Sequence, residues 1–294
     1  MKIIVLGGGA IGSLYGAKLS KLNDVIIVAR KKHADAINKH GLRITGAENR
    51  TYKLRAAEKV DRIENGTIII LSTKVHDTED AIRPIKKLLK KDTIILCLQN
   101  GYGTEEFAKK IVGNKCLVLR CVIAVGTSFL EPGKISSTKI GYTAIEKSPK
   151  SAEIAENFAK CETNAYVADD IKEVMWSKLF MNCVLNPISA VLKIRNDETM
   201  HPSLKPLRDG VIRECVRVAN KDGFDFTIKD VEAIVDRLRK SNNYSSMYQD
   251  LMKGKKTEIE FLNGAVVKLG KKYGVDCPVN ESLVAMVTYL ESKK

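Results

Sequence analysis

The chain has 294 residues, enough for two domains with a core each; at 44% hydrophobic and 29% charged it is neither a disordered nor a fibrous sequence. No apolar run approaches the ~20 residues of a membrane span, and the N-terminal KIIVLGGGAIG has no signal-peptide cleavage pattern, so no membrane association and a cytoplasmic setting are expected. The net charge of +14 raises nucleic acid, but the lysine pairs are scattered, without interleaved aromatics or a helix-turn-helix or RNP-type motif; a solvated surface whose field favours small anions explains them better, and no nucleic-acid partner is expected.

In chain order, the apolar run Lys2 to Leu6 predicts a strand that enters a glycine-rich turn and then a helix from Ser13 to Lys21. Gly7, Gly9 and Gly12 occupy the glycine positions of G-x-G-x-x-G, for a tight turn, for close approach of a pyrophosphate and for packing of helix on strand. The helix N-terminus offers unpaired N–H groups and a partial positive charge to phosphates. A second strand, Asp24 to Ala29, completes the context of a dinucleotide site and ends at Arg30, followed by Lys31 and Lys32. NAD sites usually place a carboxylate there for the ribose 2′-OH. Three cations suit a 2′-phosphate instead, so NADP(H) is expected, the simpler alternative being that Arg30 only caps a strand.

Further apolar runs alternate with helical patterns. Strands are predicted at Thr67 to Leu71, Thr93 to Leu98 and Leu117 to Val125, and helices at Thr78 to Leu89 and Glu105 to Ile111. This βαβ alternation implies a Rossmann-type doubly wound sheet, whose site lies beyond the carboxyl ends of the strands. Ser72-Thr73-Lys74 and Gln99-Asn100-Gly101 fall at such ends, although Asn-Gly turn chemistry alone accounts for the second. Thr127 to Ile145 reads as a hairpin closing the sheet with antiparallel strands; His40 to Lys59 carries no usable pattern. A helix from Ser148 to about Lys160 and a short strand, Ala165 to Ala168, end the region, and from there apolar residues recur only at helical spacing. The fold class is therefore α/β, with a Rossmann-type nucleotide-binding domain over 1–168 and an all-helical substrate domain over 169–294.

Helices are predicted at Asp170–Leu192, Leu204–Lys221, Lys229–Leu238, Ser246–Leu251, Lys256–Tyr273 and Asn280–Leu290. Trp176 to Pro187 stands out, because Lys178, Asn182 and Asn186 at i, i+4 and i+8 share one face while apolar residues fill the remaining circumference. That pattern predicts a helix buried nearly all round. Its polar ladder is either a satisfied seam between helices or the wall of an active site with the lysine as proton donor. In Asn243-Tyr244-Ser245-Ser246, either serine suits an N-cap, with Gln249 completing a capping box from Ser246; Thr257 suits another cap, with Glu258 in the first helical turn. The seven cysteines are odd in number and lack a C-x-x-C pair, and the four histidines pair with no other ligand at a metal spacing, so free thiols and no metal are expected.

The motifs GGGAIG, STK at 72–74, LQNG at 98–101, WSKLFMNCVLNP, NNYSSMYQD, TEIEFLNG and CPVN at 277–280 together resemble the 2-dehydropantoate 2-reductase (ketopantoate reductase) family over essentially the whole chain. The resemblance implies NADPH-dependent reduction of a small 2-oxo acid to the (R)-2-hydroxy acid in pantothenate and coenzyme A biosynthesis. It implies Lys178 as general acid, with Glu258 beside it, and Asn100, Asn182, Asn186, Asn243 and Ser246 on the substrate. Gly7, Gly9, Ala10, Ile11, Gly12, Arg30, Lys74 and Asn100 fall at the cofactor. A homodimer is compatible with all of this. The competing readings are a related reductase of another 2-oxo acid and a non-catalytic NADP-binding redox sensor.

Overall fold

A computed structural model describes residues 1–293, and the chain divides into two compact units. One comprises Met1–Gln99 with Gly103–Ile171; the other comprises Asn100–Tyr102 with the chain from Lys172 onward.

The first unit runs β1 (Lys2–Leu6), α1 (Ala10–Leu19), β2 (Asp24–Val28), α2 (Lys31–His40), β3 (Leu42–Gly46), β4 (Arg50–Tyr52), β5 (Arg55–Ala57), β6 (Ile68–Leu71), α3 (Thr78–Ile82), β7 (Ile94–Cys97) and α4 (Thr104–Val112). It continues through β8 (Leu117–Ala124), β9 (Thr127–Glu131), β10 (Lys134–Ser137), β11 (Tyr142–Ile145), α5 (Ser151–Lys160) and β12 (Ala165–Val167). Eight strands form the main sheet in the order β12-β11-β8-β7-β6-β1-β2-β5. The six from β8 to β5 are parallel, and β11 turns antiparallel onto β8. Beyond Lys2 at its start, β1 is apolar, as is β6, because both faces are covered: Ile3 and Val5 enter one core, Ile4 and Leu6 the other, and Ile68 and Ile70 alternate likewise with Ile69 and Leu71. The chain leaves β1 towards β2 and β5 on one side and returns through β6 towards β7 and β8 on the other. The topological switch point, where such sheets bind ligands, therefore lies between β1 and β6.

Four expectations need correction in this unit. The 127–145 segment does not form one hairpin on the main sheet, because β9 and β10 join β3 and β4 in a separate sheet of order β4-β3-β10-β9 and only β11 reaches the main one. The patternless 40–59 stretch holds β3, β4 and β5, strands of five, three and three residues that are too short for an alternation to stand out. The helix predicted to Leu89 stops at Ile82, and a 3-10 turn at Arg83–Ile85 follows because Pro84 has no N–H for an α-helical bond. The helix predicted from Ser148 starts at Ser151.

Far from the switch point, α1 is pinned by a small ion network. The buried Lys18 ammonium donates to Glu48 and Glu162, each at 2.9 Å, and Lys21 reaches the other oxygen of Glu162 at 2.5 Å. Burial by itself would depress the Lys18 pKa, but the two carboxylates outweigh it and hold it raised. Lys18 and Lys21 in turn pull the Glu162 carboxyl down from 4.5 to about 2. A carboxyl depressed on folding stabilises above its unfolded pKa and loses that contribution as the pH falls through its folded one. The thermal midpoint of Glu162→Gln should therefore lie a few degrees below wild type at pH 7 and converge with it between about pH 4.5 and pH 2. Because Glu162 is largely exposed, the difference should be small. An equal gap at pH 7 and pH 2 would show that charge is not what the side chain contributes.

The second unit is helical: α6 (Ile171–Leu192), α7 (Lys205–Lys221), α8 (Ile228–Val235), α9 (Ser246–Met252), α10 (Asn263–Tyr273) and α11 (Pro278–Ser292). Its core is built on Trp176, Phe180, Val184 and Ile188 of α6 against Val211, Cys215 and Val218 of α7 and Val266 of α10. Two predicted helices are shorter than expected. The one placed at Lys229–Leu238 becomes α8 followed by a 3-10 turn at Asp236–Lys240. The one placed at Lys256–Tyr273 begins only at Asn263, after a separate 3-10 turn at Ile259–Phe261. No helix among the described residues is long and apolar enough to cross a membrane, and all seven cysteines are free.

Candidate active site

The nucleotide-type features of the first unit gather at the carboxyl ends of β1, β2 and β6. Gly7 and Gly8 both donate their N–H to Val28 O, which ties the turn after β1 to the end of β2. The loop after β6 closes from the other side, where Ser72 Oγ donates to Gly7 O at 3.0 Å. A Cβ on Gly12 would lie 2.0 Å from Gly7 O and 2.4 Å from Ser72 Oγ, so only glycine lets α1 start this close to the turn. A Cβ on Gly9 would meet nothing within 4 Å. Gly9 thus offers the cradle a phosphate needs. The ladder of α1 opens with the bond from Ser13 N to Gly9 O, and no side chain caps the helix, so the N–H groups of Ala10, Ile11 and Gly12 have no intrahelical partner.

Arg30 follows β2 as the exposed N-cap residue of α2 and has no carboxylate partner among the described residues; its neighbour Lys31 is held by Asp35 at 3.2 Å. Lys74, half-buried, precedes the 3-10 turn Val75–Asp77 at the end of the β6 loop. That loop is fixed by Gln99, whose Nε2 donates to Thr73 O (3.1 Å) and Thr78 Oγ1 (2.7 Å).

Two positions that composition did not single out stiffen this edge. His33, 4% exposed, accepts the Gly133 N–H on Nδ1 at 2.9 Å, so its proton sits on Nε2 and points at Ser13 Oγ, 3.0 Å away. Burial lowers its pKa and favours this neutral form. Gln99 was visible in the sequence only as part of LQNG; its bonds to the β6 loop come from tertiary packing.

The remaining candidates lie in the second unit. On α6, Met175, Trp176, Leu179, Phe180 and Cys183 to Ala190 are buried, whereas Ser177, Lys178, Met181 and Asn182 are half-buried. The segment from Trp176 to Pro187 is thus buried nearly all round, open in one stripe, and Lys178 and Asn182 are on that stripe, one turn apart. Asn186, one turn further, is 4% exposed. Three loops converge on this helix. Tyr102 packs its ring on Trp176 with centroids 5.6 Å apart, and its N–H donates to Phe261 O at 2.9 Å, so the segment of half-buried Asn100 and buried Gly101 is fastened to the one that carries buried Glu258. Ser189 Oγ donates to Ser245 Oγ at 2.7 Å, which fastens the start of α9 about one turn beyond Asn186. Asn196 N donates to Asn243 O at 2.9 Å, holding the loop before it.

The cap assignments sharpen accordingly. Ser245, not Ser246, accepts the Tyr248 N–H (3.1 Å), and no capping box closes, because the Gln249 side chain donates to Tyr244 O instead. Ser246 is left exposed at the first position of α9 and Asn243 exposed in the loop before it. Thr257 does not begin an α-helix: its Oγ1 accepts the Ile259 N–H at 3.2 Å, and Glu258 stands just before the 3-10 turn.

Comparison with known proteins adds to this geometry. A family model described as "Ketopantoate reductase PanE/ApbA" matches residues 3–150, and its C-terminal counterpart matches residues 170–291. The chain belongs to the ketopantoate reductase family. A 2-dehydropantoate 2-reductase of Pyrococcus horikoshii is 34% identical, the match covering 99% of this chain and 98% of that protein. Among solved structures, a PanE/ApbA family ketopantoate reductase from Ralstonia eutropha JMP134 superposes with a TM-score of 0.91 at 29% identity, covering 100% of this chain and 99% of that one. A D-mandelate dehydrogenase solved with NADH and anilino(oxo)acetate superposes with a TM-score of 0.90 at 28% identity over the same shares. Like its relatives, this ketopantoate reductase family member is an oxidoreductase.

One further residue of the helical unit escaped the sequence reading. Asp222, at the end of α7, accepts from Tyr102 Oη (2.8 Å), Trp176 Nε1 (3.0 Å) and Tyr273 Oη (2.6 Å). It joins the Asn100 loop to the beginning of the Lys178 helix. Nothing local marks Asp222 in the sequence, because its three donors come from positions 46 to 120 residues away.

Proposed function

We propose that this chain reduces 2-dehydropantoate to (R)-pantoate with NADPH, in the route to pantothenate and coenzyme A, with Lys178 as the general acid. The observation that carries the reading is the half-buried stripe on α6, which presents Lys178 and Asn182 on a helix otherwise buried from Met175 to Ala190. The relatives named 2-dehydropantoate 2-reductase support the choice of substrate.

When bound, NADPH supplies the hydride. Gly9, Ala10, Ile11 and Gly12 would hold its phosphates at the uncapped N-terminus of α1, Arg30 would take the 2′-phosphate, and Lys74 would add a second cation for the cofactor. Negative charge develops on the substrate oxygen as the carbonyl carbon is reduced. The Lys178 ammonium stabilises that charge and gives up a proton to it. Glu258, buried, orients the ammonium. Asn100, Asn182, Asn186, Asn243 and Ser246 bind the carboxylate and hydroxyl of the substrate as neutral partners, leaving the proton balance at Lys178 undisturbed. The net charge of +14 draws in both anionic reactants. In this reading the enzyme works in the cytoplasm, a reducing compartment that suits its seven free thiols.

The likeness to D-mandelate dehydrogenase favours a second reading, an enzyme for another 2-oxo acid that uses NADH. Steady-state oxidation of NADPH and of NADH with a panel of 2-oxo acids separates them. The expected result is the highest kcat/KM with ketopantoate and NADPH, at least tenfold above benzoylformate and above either acid with NADH. Preference for benzoylformate with NADH would replace the proposal by the second reading, and no turnover with any acid would favour a non-catalytic sensor.

A further inference from the structure

Proline lies inside α6, at Pro187. It has no N–H, so the carbonyl four residues earlier, Cys183 O, loses its helical donor. Cys183 sits between Asn182 and Asn186, and the gap therefore falls within the ladder of candidate substrate groups. A buried carbonyl without a donor is expensive, and this one is supplied from outside the helix: Asn263 Nδ2 donates to Cys183 O at 3.0 Å.

Asn263 is fully buried, and a chain of bonds sets which way its amide faces. The two oxygens of Glu214 accept from Val279 N (2.8 Å), Asn280 N (2.9 Å) and Asn280 Nδ2 (2.7 Å). With the Asn280 nitrogen committed to that carboxylate, its Oδ1 faces Asn263 and accepts from Nδ2 at 2.9 Å. Asn263 Nδ2 then meets two acceptors, Asn280 Oδ1 and Cys183 O, and its own Oδ1 is left buried with no partner among the described residues. Turning the amide over would pair no donor with either acceptor. The arrangement keeps an unsatisfied oxygen so that a donor reaches Cys183.

We propose that Asn263, oriented by Glu214 through Asn280, is a positioning residue that replaces the missing Pro187 N–H and fixes Lys178 and Asn182 relative to Asn186 on α6. The proposal rests on the reading of Lys178, Asn182 and Asn186 as substrate-facing groups. It also accounts for the C-terminal motifs around Asn263 and Asn280, neither of which is among the candidate substrate contacts.

A double-mutant cycle tests it. Asn263→Leu removes the donor at similar volume, and Pro187→Ala restores an N–H that can bond Cys183 O within the helix. With the full-length enzyme, Asn263→Leu should lower kcat/KM for the oxo acid by about ten- to a hundredfold, the range a small misplacement of reacting groups produces. The Kd for NADPH, read by its fluorescence, should stay within about twofold of wild type. Pro187→Ala added to Asn263→Leu should recover at least about threefold of the lost kcat/KM and part of the lost stability in denaturant. If Asn263→Leu alone does not fold, recovery of a folded, active double variant is the same expected rescue. Strict additivity in both kinetics and stability would overturn the proposal, as would a kcat/KM unchanged by Asn263→Leu. Coupling in stability without coupling in kinetics would reduce Asn263 to a structural role and overturn the positioning claim. Lys178→Ala assayed alongside separates the two failures, because full turnover by that variant would refute the catalytic reading of α6 whatever the cycle shows.

Discussion

Lys178→Ala is expected to lower kcat by about a thousandfold or more while the Kd for NADPH changes less than about twofold. The magnitude follows from what the ammonium is asked to do. Loss of one donor to a developing oxyanion typically lowers the rate by about 10²–10³, and loss of a positioned general acid by about 10²–10⁴. In the proposed reading one group performs both tasks, so the two effects overlap rather than multiply. Binding of NADPH is spared because the glycine turn, Arg30 and Lys74 belong to the other unit. A Lys178→Arg variant keeps the charge but gives up its proton far less readily and carries a planar fork in place of a compact donor, so it should rescue binding of the oxo acid more than turnover. Stopped-flow measurement of hydride transfer would separate chemistry from release. A kcat within tenfold of wild type for Lys178→Ala would remove this lysine from the proposed chemistry.

The sequence was most legible where one local rule decides the outcome. Gly7 and Gly12 stand where a Cβ would collide with the β6 loop or the turn itself, and β6, β7 and β1 beyond Lys2 are apolar because each is covered on both faces. It was least legible where short elements borrow stability from distant partners. Strands β3 and β4, only five and three residues long, are recognisable once β10 is placed beside β3. Lys178 and Asn182 could be placed on one face of α6, but which part of that face is open depends on what the rest of the helical unit covers. The roles of Asp222 and Asn263 were hidden for a related reason. Asp222 gathers donors from three separate elements, and Asn263 answers a defect that Pro187 creates 76 residues earlier in the chain. The pairing of a helix-interior proline with a buried amide elsewhere could have been suspected, because Pro187 necessarily leaves the carbonyl of Cys183 in need of a donor.

Arg30→Ala is expected to raise the KM for NADPH by about thirty- to a hundredfold and that for NADH by less than about threefold. The two cofactors differ only in the 2′-phosphate, so a group that touches nothing else changes their ratio. Hydrogen bonds to a charged partner contribute about 1.5–3 kcal/mol, which is about 10- to 150-fold in affinity, and a guanidinium matches two phosphate oxygens at once. Arg30 is free for this: it is exposed at the end of β2 with no carboxylate partner among the described residues, whereas Lys31 is engaged by Asp35. Lys31 and Lys32 would supply some residual attraction, which is why the expected loss stops short of the full range. Arg30→Asp should go further, repelling the 2′-phosphate and accepting a hydrogen bond from the ribose 2′-OH, so that NADH becomes the preferred cofactor. The salt dependence supplies an independent check, since the NADPH preference of the wild type should shrink as ionic strength rises and that of Arg30→Ala should hardly move. Equal losses for the two cofactors in Arg30→Ala would mean that the arginine only shapes the start of α2, and the NADPH assignment would lose its structural basis.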